Sequence, residues 1–245
     1  MKQIYDAHAH LGTEKERKIR AEQGITTLFC ASDKKEAEFL LDMKKREEAY
    51  ASFGIHPWNV MTTAFKDMES FLRAGEVVGE IGLDSVWCTA SLFLQEEVFI
   101  KQLALAFDEK KPVILHTKGQ EKRIGEIIKD YPNRYLIHWY SDEREEGLDR
   151  YLSLGCYFTI GPDGKKNLAA KRLIKEAPLN RLLVETDGWS AVCWALGEMS
   201  MNKMRKVLER NIDVIAEEKG VDRSRVEEQM EENFLTFIGK RNCLK

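Results

Sequence analysis

The chain has 245 residues, close to the roughly 250 typical of an eight-fold βα barrel. Hydrophobic residues make up 43% and charged residues 32%, an ordinary globular balance, and the net charge of −3 excludes a global polyanion binder. No apolar run reaches the roughly 18 residues of a membrane helix, and the N-terminus lacks a basic-then-apolar leader pattern. The five cysteines (Cys30, Cys88, Cys156, Cys193 and Cys243) have no C-x-x-C spacing. These features predict a cytoplasmic protein with reduced thiols, no membrane association and no obligatory protein partner. Any contact with nucleic acid must rest on local positive charge.

In chain order, the pattern is a strand followed by a helix, repeated. Ile4-Tyr5 opens a first strand that runs into Asp6-Ala7-His8-Ala9-His10. Residues 25–30, 50–55, 77–84, 112–116, 135–138, 156–160 and 181–187 read as seven further strands, rich in β-branched and aromatic residues. Between them, Asp33 caps a helix with Ala37, Leu40, Leu41 and Met43 at helical spacing, and Phe65, Met68, Phe71 and Leu72 mark another that ends near Gly75. Residues 95–107 form a long amphipathic helix with Phe99, Leu103, Ala106 and Phe107 on one side. Ile124, Ile127 and Ile128 mark the next, and helices at about 198–218 and 222–238 close the chain. Near-continuously apolar strands alternating with helices imply a parallel sheet covered on both faces. Eight units in this length predict a single-domain (β/α)8 barrel of the TIM type over 1–245. A doubly wound sheet would show an early phosphate-binding glycine motif, and none is present.

In such a barrel, reactive groups gather at the C-terminal ends of the strands. His8 and His10 alternate onto one face of strand one. His56 ends strand three, Glu80 lies in the second half of strand four, and His116, His138 and Asp187 end strands five, six and eight. All five histidines of the chain are thus accounted for. Imidazole and carboxylate ligands suit one or two divalent metals (Zn, Mn or Mg), and the ligand types do not choose among them. His8, His10 and Asp187 are expected to hold one metal and His116 and His138 the other, with Glu80 bridging through its two oxygens. Paired metals activate water and stabilise both attacking and leaving oxygens, and Asp187 can accept the proton of that water. Glu80 and Asp187 are therefore the expected catalytic carboxylates. His56, rigidified by Pro57, is either a substrate-contacting group or a packed turn histidine.

These residues resemble the TatD family of metal-dependent hydrolases and deoxyribonucleases, within the amidohydrolase-type barrels. The resemblance is carried by Asp6-Ala7-His8-Ala9-His10, Gly54-Ile55-His56-Pro57, Gly79-Glu80-Ile81-Gly82-Leu83-Asp84 and the Gln95…Phe99 helix. It continues through Ile114-Leu115-His116, Ile137-His138, Leu183-Val184-Glu185-Thr186-Asp187 and Glu232-Asn233-Phe234. It implies metal-dependent phosphodiester hydrolysis with ligands at His8, His10, Glu80, His116, His138 and Asp187. Three departures bear on substrate. Lys118 stands where the family usually has an arginine, Trp139-Tyr140-Ser141-Asp142 replaces a small-residue phosphate loop, and Gly188-Trp189 follows Asp187 in place of a proline. Lysine meets a phosphate as a point charge, without the bidentate fork.

The expected function is therefore a deoxyribonuclease that uses metal-activated water on DNA or a small phosphodiester, with His56 and Lys118 as substrate contacts. The alternatives are an amidohydrolase acting on small cyclic amides or lactones, and a metal-binding protein without turnover. Lys118, Lys122, Arg123, Lys165 and Lys166 either hold phosphates or are solvated. Trp58, Trp139, Tyr140 and Trp189 either stack on bases or pack the rim of the barrel.

Overall fold

The structure is a computed structural model that describes residues 2–142 and 145–240; Cys243, read above as a reduced thiol, lies outside them. Eight strands form one sheet in sequential order: β1 (Ile4–His10), β2 (Ile25–Ala31), β3 (Tyr50–Phe53), β4 (Val77–Gly82), β5 (Val113–His116), β6 (Tyr135–Ile137), β7 (Tyr157–Ile160) and β8 (Leu182–Val184). The helices are α1 (Glu14–Glu22), α2 (Lys34–Lys45), α3 (Phe65–Ala74), α4 (Leu92–Asp108), α5 (Glu121–Ile128), α6 (Glu145–Ser153), α7 (Leu168–Glu176), α8 (Trp189–Leu196), α9 (Met204–Lys219) and α10 (Arg223–Phe237). Strand order and alternation are those of the (β/α)8 TIM-barrel class. No helix among the described residues is long and apolar enough to cross a membrane.

Several strands are shorter than the sequence suggests. β3 stops at Phe53, β6 at Ile137 and β8 at Val184, so His56 and His138 follow the strand ends and Asp187 keeps an isolated bridge to Ala9. Sequence reading singles out none of helices α1, α6, α7 and α8; α1 carries few apolar residues, and α8 is apolar nearly throughout. In α1 the buried side chains are Glu16, Ile19 and Arg20. One expected core position is corrected: Phe107 is 44% exposed, because it falls at the last turn of α4 and meets Tyr131 edge-to-face.

The chain packs as two compact units. One comprises Phe29–His138 with Arg144–Cys156. In it β3, β4, β5 and β6 pair in parallel. Phe53, Val77, Val78, Ile81, Ile114, Leu115, Leu136 and Ile137 are fully buried there. Asp33 caps α2 by accepting from the Glu36 N–H, as expected from the sequence, and Ser91 caps α4 through the Leu94 N–H. Helix α4 buries two glutamines beside Phe99 and Leu103. Gln102 accepts the Ile55 N–H at 2.6 Å and donates to the Ile55 carbonyl at 3.2 Å. Gln95 accepts the Asp84 N–H at 2.8 Å and donates to the carbonyls of Asp84 and Ala90. The amides thus satisfy backbone groups that the ends of β3 and β4 leave without strand partners.

The other unit comprises Met1–Leu28, Trp139–Glu143 and Tyr157–Lys245. There β7 pairs with β8 in parallel, and a single bridge links Ala9 to Asp187. Two buried asparagines on the closing helices serve the strand ends. Asn211 of α9 donates to the carbonyls of Ile160 and Gly161, and Asn233 of α10 donates to those of Leu179 and Leu182.

Close backbone approach explains part of the glycine pattern. A Cβ on Gly82, whose φ is +153°, would lie 1.9 Å from the His116 carbonyl oxygen. Gly155 also has positive φ, +68°, but open space around it. Gly82→Ala is expected to cost about 3 kcal/mol or more and Gly155→Ala about 1–2 kcal/mol, read from urea midpoints. Equal losses at the two positions would contradict this packing account.

Candidate metal-binding site

In the first unit the end of β4 delivers Glu80, which is 1% exposed, into a ring of imidazoles. His116 Nδ1 and His138 Nε2 each lie 2.7 Å from Glu80 Oε1, and His56 Nε2 lies 3.5 Å from the same oxygen. His116 Nδ1 is also 3.3 Å from both His56 Nε2 and His138 Nε2. Burial pushes the Glu80 carboxyl upward. His138, His56 and His116 outweigh it, and the carboxyl stays well below the usual carboxylate range. His116 is shifted the other way: burial opposes its charge, but the carboxylates of Asp84 and Glu80 raise its pKa.

Sequence reading placed Asp84 in a motif without giving it a task. Its buried carboxylate collects four donors. Oδ2 accepts from His116 Nε2 at 3.1 Å and from the Trp58 indole N–H at 2.6 Å, and Oδ1 accepts the N–H groups of Val86 and Trp87 at 2.8 and 2.9 Å. Burial again works to raise its pKa, and the hydrogen bonds, led by His116, lower it strongly. His116 donates to both carboxylates only as imidazolium; in the neutral ring, with Nε2–H committed to Asp84, the Nδ1 lone pair is left for a cation. His56 has the opposite arrangement. Its Nδ1 accepts the Trp58 N–H at 3.2 Å, so its neutral ring is protonated at Nε2 and presents a donor. The sequence signal for this hub was a pair of polar residues, Gln95 and Gln102, on the face of α4 that carries Phe99; both amides hold the strand-end backbone.

In the second unit Asp187 Oδ1 lies 3.0 Å from His8 Nε2 and 3.6 Å from His10 Nε2. His8 is fully buried, and the His10 side chain is 42% exposed. Asp187 sits at φ +57°, a left-handed conformation that aspartate tolerates better than most residues, and its N–H donates to the His8 carbonyl at 3.1 Å.

A buried cluster supports that turn, and no sequence signal beyond Asp6 pointed to it. Arg20 of α1 donates to Asp6 Oδ2 at 2.6 Å, to Thr186 Oγ1 at 2.7 Å and to Glu16 Oε1 at 3.1 Å. Thr186 donates its N–H and hydroxyl to Asp6 and accepts the Gly188 N–H, while Glu16 accepts the Trp189 N–H. Helix α1 therefore locks the backbone on both sides of Asp187.

Both clusters suit a divalent cation. Ligand atoms about 2.1 Å from a tetrahedral ion lie about 3.4 Å from one another. The 3.5 Å separation at Glu80 and the 3.6 Å separation at Asp187 match that spacing, and the 2.7 and 3.0 Å contacts are hydrogen-bond distances that would widen around an ion. Two imidazole N–H groups cannot usefully face each other, so each 3.3 Å nitrogen pair presents at least one lone pair. His8, His10 and Asp187 come together, as do His56, Glu80, His116 and His138. Lys118 Nζ lies 4.7 Å from the centre of the Trp87 ring. Of the expected aromatic contacts, Tyr140 is buried against Phe158, whereas Trp58 is 54% exposed.

Two outcomes follow from these networks. Asp84→Asn is expected to weaken metal retention about 10–100-fold in chelator competition, since it disturbs the His116 tautomer; unchanged retention would remove Asp84 from that role. Arg20→Met leaves Asp6 and Glu16 buried without their cation. It is expected to cost about 3–5 kcal/mol in chemical denaturation, and a loss below about 1 kcal/mol would contradict the buried-clamp reading.

Comparison with known proteins adds the following. A family model described as "TatD related DNase" matches residues 5–239. The "3'-5' ssDNA/RNA exonuclease TatD" of Edwardsiella piscicida is 35% identical over 151 residues, an alignment that covers 56% of this chain and 57% of that relative. The chain thus spans little more than half the length of that relative. A "metal-dependent hydrolase YabD" of Bacillus subtilis (strain 168) is 28% identical over 207 residues, 75% of this chain and 79% of its own. Among solved structures, the TatD homologue YjjV from Escherichia coli superposes with a TM-score of 0.81 at 20% identity, covering 96% of this chain and 97% of that one. A TatD family hydrolase from Entamoeba histolytica gives 0.75 at 14% identity, covering 96% and 98%. These two likenesses speak to the fold.

Proposed function

Because the chain belongs to the TatD-related DNase family, we propose that it is a metal-dependent nuclease that hydrolyses phosphodiester bonds in single-stranded nucleic acid, DNA among its substrates. The observation that carries this reading is the buried Glu80 oxygen with nitrogens of His116 and His138 each at 2.7 Å, a donor set built for a cation, and His56 Nε2 3.5 Å from the same oxygen. His8, His10 and Asp187 are the proposed ligands of one metal, and Glu80, His116 and His138 of another. When bound, divalent cations supply Lewis-acid polarisation of the phosphodiester and lower the pKa of water. Zn, Mn and Mg all remain compatible with these ligands.

The protein's own groups do the rest. Asp187, with a side chain 15% exposed, is open enough to take a proton from the attacking water and is held by a backbone that cannot turn away. Glu80, ionised and buried, supplies fixed negative charge beside the ligands. His56 offers its Nε2–H toward the reacting centre. Lys118 supplies positive charge for a phosphate. The cysteine usage, five residues with no C-x-x-C spacing, supports a cytoplasmic setting.

Three measurements test the proposal. Anomalous scattering from metal-replete crystals is expected to show cations at the two clusters. Dialysis against a chelator is expected to abolish hydrolysis of single-stranded oligonucleotides, with activity restored by added Mn²⁺ or Zn²⁺. Glu80→Gln and Asp187→Asn are each expected to lower kcat by about 10²–10⁴-fold while leaving the far-ultraviolet circular dichroism unchanged. Full activity in either variant would take that carboxylate out of the mechanism. Turnover of cyclic amides with none on any phosphodiester would select the amidohydrolase alternative instead.

A further inference from the structure

Two large indoles stand in water beside the Glu80 cluster. Trp58, in the turn after β3, is 54% exposed, and Trp87, in the loop after β4, is 51% exposed. Each leaves apolar area unburied that a core would use, and exposed aromatic area of this kind marks a recognition surface. The rings meet edge-to-face with centroids 6.4 Å apart, and Trp58 touches His56 at 5.0 Å and His116 at 6.4 Å.

The pair is held rigidly. The Trp58 indole N–H donates to Asp84 Oδ2 at 2.6 Å and the Trp87 backbone N–H to Asp84 Oδ1 at 2.9 Å, so the carboxylate that fixes His116 also fixes the Trp58 ring and the Trp87 main chain. The neighbouring loop is tied in as well. Ser85 N–H donates to the Lys118 carbonyl at 3.1 Å, and Gln120 Nε2 donates to Ser85 Oγ at 2.9 Å. That tie sets Lys118 where its ammonium lies 4.7 Å from the centre of the Trp87 ring. A preorganised aromatic surface costs little side-chain entropy when a ligand arrives.

We propose that Trp58 and Trp87 form a stacking subsite for an unpaired nucleobase, with Lys118 meeting the adjoining phosphate, so that this ledge selects single strands for the Glu80 cluster. The inference rests on the nuclease reading and adds to it the group that recognises the strand. The Lys118 ammonium stands over one face of Trp87, and the ring area still exposed together with that cation matches a nucleotide, a flat π-system beside a negative charge. Inside a duplex both faces of a base are covered by its stacked neighbours, so an indole finds a free face only on a single strand or a frayed end. Every base has such a face, so the ledge is tolerant of sequence. Lysine, a point charge without a planar fork, adds little directional demand.

The test compares a short oligothymidylate with a single strand of equal length in which abasic tetrahydrofuran residues replace the nucleotides. Trp87→Ala is expected to raise KM on the oligothymidylate about 5–150-fold, to leave its kcat near the wild-type value and to leave the abasic strand unaffected. Trp87→Phe, which keeps a stacking face, is expected to recover most of the loss. In metal-free protein the oligothymidylate is expected to quench tryptophan fluorescence, and the abasic strand is not. An unchanged KM in Trp87→Ala, or an equal loss on both strands, overturns the proposal. If the wild-type enzyme cleaves neither strand, the nuclease reading fails and the fluorescence titration decides the ledge on its own: quenching by the base-bearing strand alone, weakened in Trp87→Ala, upholds it, and equal or absent quenching rejects it.

Discussion

A carboxylate with 1% exposure is expensive to keep charged, because burial removes the water that would solvate it. Glu80 remains ionised only because His56, His116 and His138 lie against one of its oxygens. Those imidazoles come from the ends of β3, β5 and β6, and each end must stop at the right residue for its ring to reach the same atom. The glycines around them answer this demand, since Gly54 and Gly82 let neighbouring backbones approach more closely than a Cβ permits. Asp84 then settles which nitrogen of His116 faces the carboxylate. The electrostatic requirement at one atom thus propagates outward into strand length, glycine placement and a hydrogen-bond hub.

The Asp187 cluster meets a comparable demand through the backbone. A left-handed turn at an aspartate stores local strain, which persists only where surrounding structure over-determines it. Arg20, Asp6, Glu16 and Thr186 supply that surplus, with the guanidinium joining three side chains of the cluster and Glu16 holding the Trp189 N–H. Polar groups placed this deep are tolerable because each finds a charged partner. The two clusters therefore hold their carboxylates by different physics: imidazoles gathered around the oxygen in one, a locked main chain beneath it in the other.

Much of this was legible in the sequence, and the limits have physical causes. The strands announced themselves as β-branched apolar runs, and the histidines stood out because each followed such a run. Asp33 marked a helix start by capping chemistry, and Gly75 marked a helix end for a different reason, close packing: a Cβ there would lie 2.8 Å from the Phe53 ring. Helix α1 was hidden because its inward face carries Glu16 and Arg20, residues that read as solvated surface until their mutual pairing is seen. Asp84 was visible as a motif residue, but its four donors come from three separate stretches of chain, and no local pattern reports such a convergence. Phe107 fitted the apolar spacing of α4 yet faces water, since periodicity does not say where the covering surface ends.

Gln95 and Gln102 of α4 grip main-chain groups of residues 55, 84 and 90, and no side chain of the loop between residues 84 and 90 enters those bonds. That anchoring does not depend on the side chains of the loop. The loop main chain does belong to the frame, because the Val86 and Trp87 N–H groups hold the Asp84 carboxylate that fixes His116. The surface offered to a substrate can therefore be rewritten through the side chains at 86 and 87 so long as that turn is kept.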